Sequence, residues 1–305
     1  MSDSKIGSFS QELAGAAERA GTSIVAVGAR PRLPSSGIHW RKGVVVTAHH
    51  TIRREDDIHI LAPGGKRVAA KLAGRDPGTD LAILKLESED GLAVPQFADA
   101  TGVKLAHFVL ALGRSRGGSL VASAGIVGGL GGEWRTWRGG RVDQNIRLDL
   151  ALYPGFSGGP LVNVEGKVLG VNTNGFGRGR AVTIPVSTVN RTIDELLEKG
   201  HIARPYLGLA MQPVAIPENL RGKLKSSATS GLMVLHVEPS GPADKAGIVL
   251  GDVIVELQGK AALDTDNIQE LLASAKIGDS IAAAVLRAGT LLQIPVSLGE
   301  RPARQ

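Results

Sequence analysis

The sequence predicts a mainly β protein with two domains, a β-sandwich or β-barrel followed by a small α+β domain. Between residues 23 and 186, short apolar or alternating runs are separated by Gly, Pro, Asp and Asn, which is typical of strands joined by turns. The runs follow one another without the helices that parallel βαβ units require. With 305 residues, the chain is long enough for two domains.

The N-terminal segment is predicted to be a short amphipathic helix over residues 1–20, with Phe9 and Leu13 on one side. It lacks the apolar centre of a signal peptide. No apolar run approaches the roughly 18 residues of a membrane-spanning helix, so we expect no membrane span. If Met1 is the natural start, we expect a cytoplasmic protein, whereas a processed form would be periplasmic or organellar.

The pattern changes after the last predicted strand of the first domain. Apolar residues then recur at helical spacing, and we expect Ser187 or Thr188 to cap the start of this helix and Gly200 its end. The helix closes a first domain over residues 21–200. Predicted strands around two short helices then indicate a second domain over residues 201–305.

Composition excludes several kinds of site. The chain has no cysteine, which excludes disulfides, thiolate chemistry and cysteine-ligated metals. We predict no cofactor and no metal. The formal net charge is +6, but the basic residues are spread along the chain and only 3% of residues are aromatic. We therefore expect no nucleic-acid partner, because few rings are available to stack on bases.

The stretch "LYPGFSGGPLVN", residues 152–163, has the features of a nucleophilic loop. A serine hydroxyl becomes a nucleophile beside a base that a third group orients, and it needs amide donors aimed at the developing oxyanion. The glycines around Ser157 permit a sharp turn and leave backbone amides available. We expect an oxyanion hole at Gly155, Phe156 and Ser157, with the amides of Gly155 and Ser157 as donors.

Residue types alone leave two candidates for the base and two for the acid. Of the seven histidines, only His49 and His50 stand directly at the end of an apolar strand, where the rim of a barrel would expose them. The segment "DPGTDLAILKL" offers Asp80 directly before an apolar strand, and Asp76 four residues earlier. Either histidine and either aspartate would suit a serine nucleophile.

The segments "TAHH", "TDLAILKL" and "GFSGGPLVN", in the order His, Asp, Ser, resemble those of chymotrypsin-type serine proteases. The resemblance is greatest to the HtrA/Deg branch, in which a PDZ domain follows a trypsin-like protease domain, and it extends from about residue 8 to residue 299. It implies a chymotrypsin-like double six-stranded β-barrel plus an α+β PDZ domain. The family's T-x-x-H strand ending selects His50 over His49, and its D-x-x-T turn selects Asp80 over Asp76.

The resemblance implies a serine endopeptidase of protein quality control that cleaves unfolded or damaged proteins through an acyl-enzyme, with His50, Asp80 and Ser157 as its triad. It also implies regulation by peptides at the PDZ domain and assembly as a homo-oligomer, commonly a trimer. The alternative is a weakly active or inactive scaffold that binds peptides or unfolded chains. Phe156 motivates this alternative, because the family usually has Asn or Asp there. We expect its ring to hold the loop by packing into the second barrel.

Substrate contacts are predicted beside the nucleophile and in the second domain. No acid is available at the floor of the S1 pocket, so we expect cleavage after small or medium apolar residues. The stretch "YLGL" resembles a PDZ carboxylate-binding loop, whose amides hold a peptide C-terminus while the peptide adds a strand to the sheet edge. Two residues of the second helix line that groove, with core packing as the alternative for one of them. The predicted S1 residues are Ala151, Leu152, Thr173 and Asn174, and the predicted peptide-binding residues are Leu207, Gly208, Leu209, Ile268 and Leu272.

Two further stretches depart from the family or suggest regulation. The segment "GRSRGG" contains Arg114 where the family often has Gly-Asn-Pro-Phe-Gly, and the sequence gives this arginine no role. The Gly-rich stretch at residues 128–142 stands where the family has a loop that relays peptide binding to the oxyanion loop. An exposed loop without such a role is the equal alternative.

Overall fold

Strands dominate the computed structural model, which confirms the mainly β fold. The chain divides into two compact units, Met1–Ile202 and Ala203–Gln305. None of the helices that the structure describes combines the length and the apolar character needed to cross a membrane. The structure describes residues 5–31, 33–88, 91–136, 138–176, 181–221 and 229–300.

The first unit begins with a helix and a closed six-stranded antiparallel barrel. The strands of this barrel neighbour one another in the chain order first, second, third, sixth, fifth and fourth. The elements are α1 (Lys5–Gly21), β1 (Ile24–Gly28), β2 (Ser35–Arg41), β3 (Val44–Ala48), β4 (Ile58–Leu61), β5 (Arg67–Asp76) and β6 (Leu81–Leu86).

A second closed barrel completes the first unit, together with a two-stranded sheet and a C-terminal helix. The elements are β7 (Phe108–Arg114), β8 (Leu120–Gly131), β9 (Trp134–Arg135), β10 (Arg141–Val142), β11 (Asn145–Asp149), β12 (Pro160–Val162), β13 (Val168–Thr173), β14 (Val182–Pro185) and α2 (Val186–Lys199). The barrel order is β11-β14-β13-β12-β7-β8, and β9 pairs with β10. The double six-stranded barrel expected from the resemblance is therefore present.

Strand β3 shows why the two barrels lie against each other. Its side chains are apolar on both faces, as is typical of a strand buried on both sides. Val45 packs inside the first barrel, whereas Val44 and Val46 belong to a core shared with the second barrel. The neighbouring strand β6 divides its side chains in the same way. Because Ala48 pairs with Leu81, the end of β3 and the start of β6 meet at the rim.

The two helices of the first unit pack on the shared core. Helix α1 buries Ala16, and Phe9 contacts Phe108 edge-on with ring centroids 5.2 Å apart. The predicted start of α2 is wrong. The helix begins at Val186, so Pro185 occupies the N-cap position, where it makes no side-chain cap hydrogen bond. Thr188 instead accepts an amide hydrogen bond from the loop before β11.

The end of α2 agrees with the prediction, because Gly200 adopts the left-handed conformation at the C-cap with a φ of 76°.

Arg114 has a structural role that the sequence did not indicate. Its buried guanidinium donates to the carbonyl oxygens of Gly21 at 2.7 Å and Ile24 at 2.6 Å, and to that of Gly118. Burial lowers the pKa of Arg114. The side chain ties the end of α1 and the start of β1 to β7.

The second unit is an α+β domain built on an antiparallel sheet. The elements are β15 (Pro205–Tyr206), β16 (Leu209–Ala215), α3 (Glu218–Arg221), β17 (Ser230–Val237), α4 (Pro242–Lys245), β18 (Val253–Leu257), β19 (Lys260–Ala261), α5 (Thr265–Ser274), β20 (Ser280–Arg287), β21 (Thr290–Ser297) and β22 (Gly299–Glu300). The main sheet has the order β16-β17-β18-β20-β21, with β19 paired to β18 and β15 paired to β22. Within the described residues, β16 is therefore an edge strand.

Candidate active site

His50 and Asp80 form a buried hydrogen-bonded pair where β3 ends and β6 begins. The Asp80 carboxylate accepts the His50 amide at 2.9 Å and lies 2.7 Å from His50 Nδ1. Asp80 is 2% exposed and the His50 side chain is 25% exposed. An ionised carboxylate only accepts hydrogen bonds, so Nδ1 carries the hydrogen and Nε2 has the free lone pair. This is the tautomer that a general base requires.

A segment of the second barrel closes over this pair. The Thr173 hydroxyl donates to Asp80 Oδ2 and accepts the Gly175 amide at 2.8 Å. A Cβ on Gly175 would overlap Asp80 Oδ2 and lie 2.7 Å from His50 Nδ1. Only glycine fits at position 175, where the second barrel comes this close to His50 and Asp80. Thr173, predicted to line the S1 pocket, thus directs its hydroxyl to Asp80. Its place in the S1 pocket stays a prediction.

The other candidates for base and acid have different surroundings. The Asp76 carboxylate accepts the amides of Gly78 and Thr79 at 2.9 and 3.0 Å, so it stabilises the turn before Asp80. His49 Nδ1 is buried without a hydrogen-bond partner in the described part of the chain. Burial lowers the pKa of His49 below its ordinary value. The geometry thus favours His50 and Asp80 over their neighbours.

The loop that carries Ser157 lies directly against the first barrel. Gly158 has a φ of 89°, and a Cβ there would overlap the Ser36 carbonyl oxygen and lie 2.5 Å from Thr47 Oγ1. Glycine is required at this position for both reasons. The loop is thereby held beside the end of β3, which leads into His50.

Phe156 is 4% exposed and contacts Tyr153 with ring centroids 5.8 Å apart. It borders a cleft of 410 Å³ that residues of β7 and β8, among them Arg114 and Val121, also line. The ring is therefore buried, and its aromatic contact is with Tyr153 of the same loop. Packing of the ring into the second barrel stays a prediction.

Two amides of the loop are available for an oxyanion. Gly155 has a φ of 101°, and within the described ranges neither its amide nor that of Ser157 donates to a protein acceptor. The Phe156 amide donates to the Tyr153 carbonyl at 3.0 Å. Phe156, predicted as part of the oxyanion hole, therefore has no free amide, and the amides of Gly155 and Ser157 remain the candidate donors.

The Ser157 hydroxyl does not contact the histidine in this structure. It is 5% exposed and donates to Asn174 Oδ1 at 3.1 Å. Among the residues described, no hydrogen bond joins Ser157 to His50. A hydroxyl has one hydrogen to donate, so Ser157 must leave Asn174 before His50 accepts its proton. Asn174, predicted as an S1 residue, is thus a partner of the nucleophile.

The remaining predicted S1 residues precede the nucleophile in the same loop. Ala151 is exposed and Leu152 is partly buried. Their assignment to the S1 pocket stays a prediction.

The predicted peptide site of the second unit has a turn built on Gly208, which has a φ of 82°. The Leu207 carbonyl oxygen accepts the amide of Ala243 in α4 at 2.9 Å, and the Gly208 carbonyl oxygen accepts the amide of Glu238, after β17, at 2.9 Å. The turn leads into Leu209, the first residue of edge strand β16. Ile268 and Leu272 are both buried in the core beside Leu207. Both therefore pack in the core, and their contact with a bound peptide stays a prediction.

Comparisons with known proteins agree with this architecture. Residues 35–171 match the trypsin-like peptidase domain and residues 205–298 match the PDZ domain. The chain is 33% identical over 280 residues to a probable periplasmic serine endoprotease DegP-like of Marinomonas sp. (strain MWYL1), covering 90% of this chain and 58% of that protein. It is 36% identical over 272 residues to the serine protease Do-like HtrA of Lactobacillus helveticus, covering 84% and 65%.

Solved structures give the same result over the whole chain. The HtrA-type protease AlgW with decapeptide has a TM-score of 0.69 at 25% identity, covering 96% of this chain and 99% of that chain. The serine endoprotease from Yersinia pestis has a TM-score of 0.70 at 26% identity, covering 95% and 98%. The chain spans 51–65% of the length of the first curated relatives it matches. The chain therefore has a trypsin-like double barrel followed by a PDZ domain, and it is similar to serine proteases of the HtrA type.

Proposed function

We propose that this chain is a serine endopeptidase in which Ser157 is the nucleophile, His50 the general base and Asp80 the residue that orients the base. The observation that carries the proposal is the 2.7 Å contact between His50 Nδ1 and Asp80 Oδ2, which leaves Nε2 able to accept a proton. The two available amides at Gly155 and Ser157 supply the second requirement, donors for an oxyanion.

The proposed reaction has two halves. Ser157 Oγ turns from Asn174, gives its proton to His50 Nε2 and bonds to the peptide carbonyl carbon. The carbonyl oxygen becomes an oxyanion held by the amides of Gly155 and Ser157. The C–N bond breaks, the amine takes the proton from His50, and an acyl-enzyme remains. Water, deprotonated by His50, then releases the acid and restores the Ser157 hydroxyl.

The proposed substrates are unfolded or damaged proteins cleaved after small or medium apolar residues. The apolar character of Ala151 and Leu152, beside the nucleophile, supports this preference. Several relatives are named periplasmic serine endoproteases, which favours the periplasmic alternative over the cytoplasmic one for this chain. We also propose a homo-oligomer, a trimer, because of the resemblance of the sequence to the HtrA/Deg family.

The contact between Ser157 and Asn174 favours a second candidate function, a weakly active scaffold that binds peptides or unfolded chains. In that case the hydroxyl would stay with Asn174 when substrate is bound. Both candidates include a peptide site at the PDZ domain, where the edge strand β16 would accept a peptide as a further strand. A solved HtrA-type protease is described with a bound decapeptide, which supports this part of the proposal.

The nucleophile is tested by replacing Ser157 with alanine. We expect Ser157→Ala to lose casein hydrolysis by more than about 10⁴-fold and to lose labelling by a fluorophosphonate, because no other group can form the acyl-enzyme. Ser119→Ala, at an exposed serine of the same unit, is the control and should retain both. Casein hydrolysis that survives in Ser157→Ala would contradict the assignment of Ser157 as the nucleophile. A wild type that the fluorophosphonate does not label would favour the weakly active scaffold.

The contact with Asn174 is tested by Asn174→Ala. Because the variant removes the acceptor that competes with His50, we expect Ser157 labelling and kcat to rise about twofold to tenfold, the range of one net hydrogen bond. Asn174→Asp keeps an oxygen acceptor and should give no increase. A rate at or below that of the wild type in Asn174→Ala would show that this contact does not restrain the nucleophile.

Regulation through the second unit is tested with two peptides that differ only at their ends. A peptide with a free C-terminal carboxylate should bind, by calorimetry, and raise casein turnover. The same peptide with a C-terminal amide should do neither, since it lacks the charge that the amides of Leu207, Gly208 and Leu209 are proposed to hold. Equal binding of the two peptides would exclude a carboxylate-binding loop.

A further inference from the structure

Ser36 in β2 is fully buried and joins the first barrel to the oxyanion loop. Its Oγ donates to the Gly155 carbonyl oxygen at 2.8 Å and accepts the Arg114 amide at 2.9 Å. Its own amide donates to the Ser157 carbonyl oxygen at 3.2 Å. A buried hydroxyl with both a donor and an acceptor in place has a defined orientation. One residue thus holds two carbonyl groups of the loop.

The carbonyl group between these two is also occupied, since Phe156 accepts the Gly159 amide at 2.9 Å. Each carbonyl from Gly155 to Ser157 therefore has a partner, and Ser36 supplies two of the three. A peptide group is planar, so the Gly155 and Ser157 carbonyls that Ser36 holds also fix the amides of Phe156 and Gly158. The peptide group that carries the Ser157 amide lies between these two fixed groups. Within the described ranges, the amides left without a protein acceptor are those of Gly155 and Ser157, the proposed oxyanion donors.

Close packing prevents Ser36 from moving away from the loop. A Cβ on Gly113 would lie 2.7 Å from Ser36 Oγ, and a Cβ on Gly159 would lie 3.1 Å from Ser36 Cβ. A Cβ on Gly158 would overlap the Ser36 carbonyl oxygen. The glycines on both sides admit a serine and leave no room for displacement of its side chain.

We propose that Ser36 is a positioning residue of the oxyanion hole, because it fixes the two peptide groups on either side of the one that carries the Ser157 amide. The first of these groups also directly follows the one that carries the Gly155 amide. The inference rests on the proposed peptidase function and adds to it a residue that touches neither substrate nor reacting atoms. Without the hydroxyl, the Gly155 carbonyl loses its partner and the turn at residue 155 is free to rotate. Oxyanion donors stabilise a transition state only when they are held in place beforehand.

The test compares Ser36→Ala with Ser35→Ala. Ser35 is equally buried in the same strand, but its hydroxyl is within 3.5 Å of Thr47 Oγ1 rather than of the loop. The readouts are kcat and KM for a peptide substrate, and the Ki of a peptide boronate, which forms a tetrahedral adduct with the nucleophile and mimics the transition state.

For Ser36→Ala we expect kcat to fall about 10- to 100-fold, less than the loss of a whole oxyanion donor. The boronate Ki should rise by a similar factor, with KM within about twofold of the wild type, because only transition-state binding is affected. Ser35→Ala should leave all three values within about twofold of the wild type. If Ser36→Ala does not fold, Ser36→Cys, which fills the site with a weaker donor, should show an intermediate loss.

Three outcomes would overturn the inference. They are an unchanged kcat and Ki in folded Ser36→Ala, a loss of kcat without a rise in Ki, and an equal loss in Ser35→Ala. If the wild type is active and any of these results is found, the role of Ser36 is contradicted and the proposed peptidase function is not. A wild type that neither hydrolyses casein nor reacts with a fluorophosphonate would contradict the proposed function, and this inference with it.

Discussion

The close approach of the Ser157 loop to the first barrel is the constraint on which the candidate site depends. Gly158 lies so near β2 and β3 that any side chain there would overlap the Ser36 carbonyl oxygen. Gly175 makes a similar approach from the second barrel to the pair of His50 and Asp80. Both contacts require a missing Cβ, and a larger residue would separate the barrels locally. The shared core of the two barrels holds these contacts together.

Within this arrangement the proposed base and acid are in contact, whereas the proposed nucleophile is not in contact with the base. His50 and Asp80 are 2.7 Å apart, whereas the Ser157 hydroxyl is bonded to Asn174. The loop that carries Ser157 is held by hydrogen bonds to Ser36, and Phe156 is buried within it. The proposed enzyme is therefore one whose oxyanion donors are in place before substrate binds, and whose activity depends on rotation of one side chain.

Local patterns were sufficient for the residues with distinctive motifs. Ser157 between glycines, and a histidine at a strand end, are visible in the chain, while the choice of His50 and Asp80 came from the resemblance. The start of α2 differs from the prediction because Pro185, at the N-cap, has no side-chain oxygen, whereas Ser187 and Thr188 are of the residue types that usually cap helices.

The remaining site residues depend on contacts between distant parts of the chain. Ser36 and Gly155 are 119 positions apart, and Thr173 and Asp80 are 93 apart. No local pattern indicates such partners. The available signals were weak: a pair of serines at the start of β2, and a hydroxyl residue at the end of the buried strand β13. Only the closed barrels bring them to the loop and to the acid.

The most direct measurement is a crystal structure of the wild type after reaction with a peptidyl phosphonate. The account predicts phosphorus bonded to Ser157 Oγ, a phosphonyl oxygen hydrogen-bonded to the amides of Gly155 and Ser157, and the imidazole of His50 within hydrogen-bond distance of the adduct. Phosphorus on another residue, or a phosphonyl oxygen directed away from the amides of Gly155 and Ser157, would contradict the account.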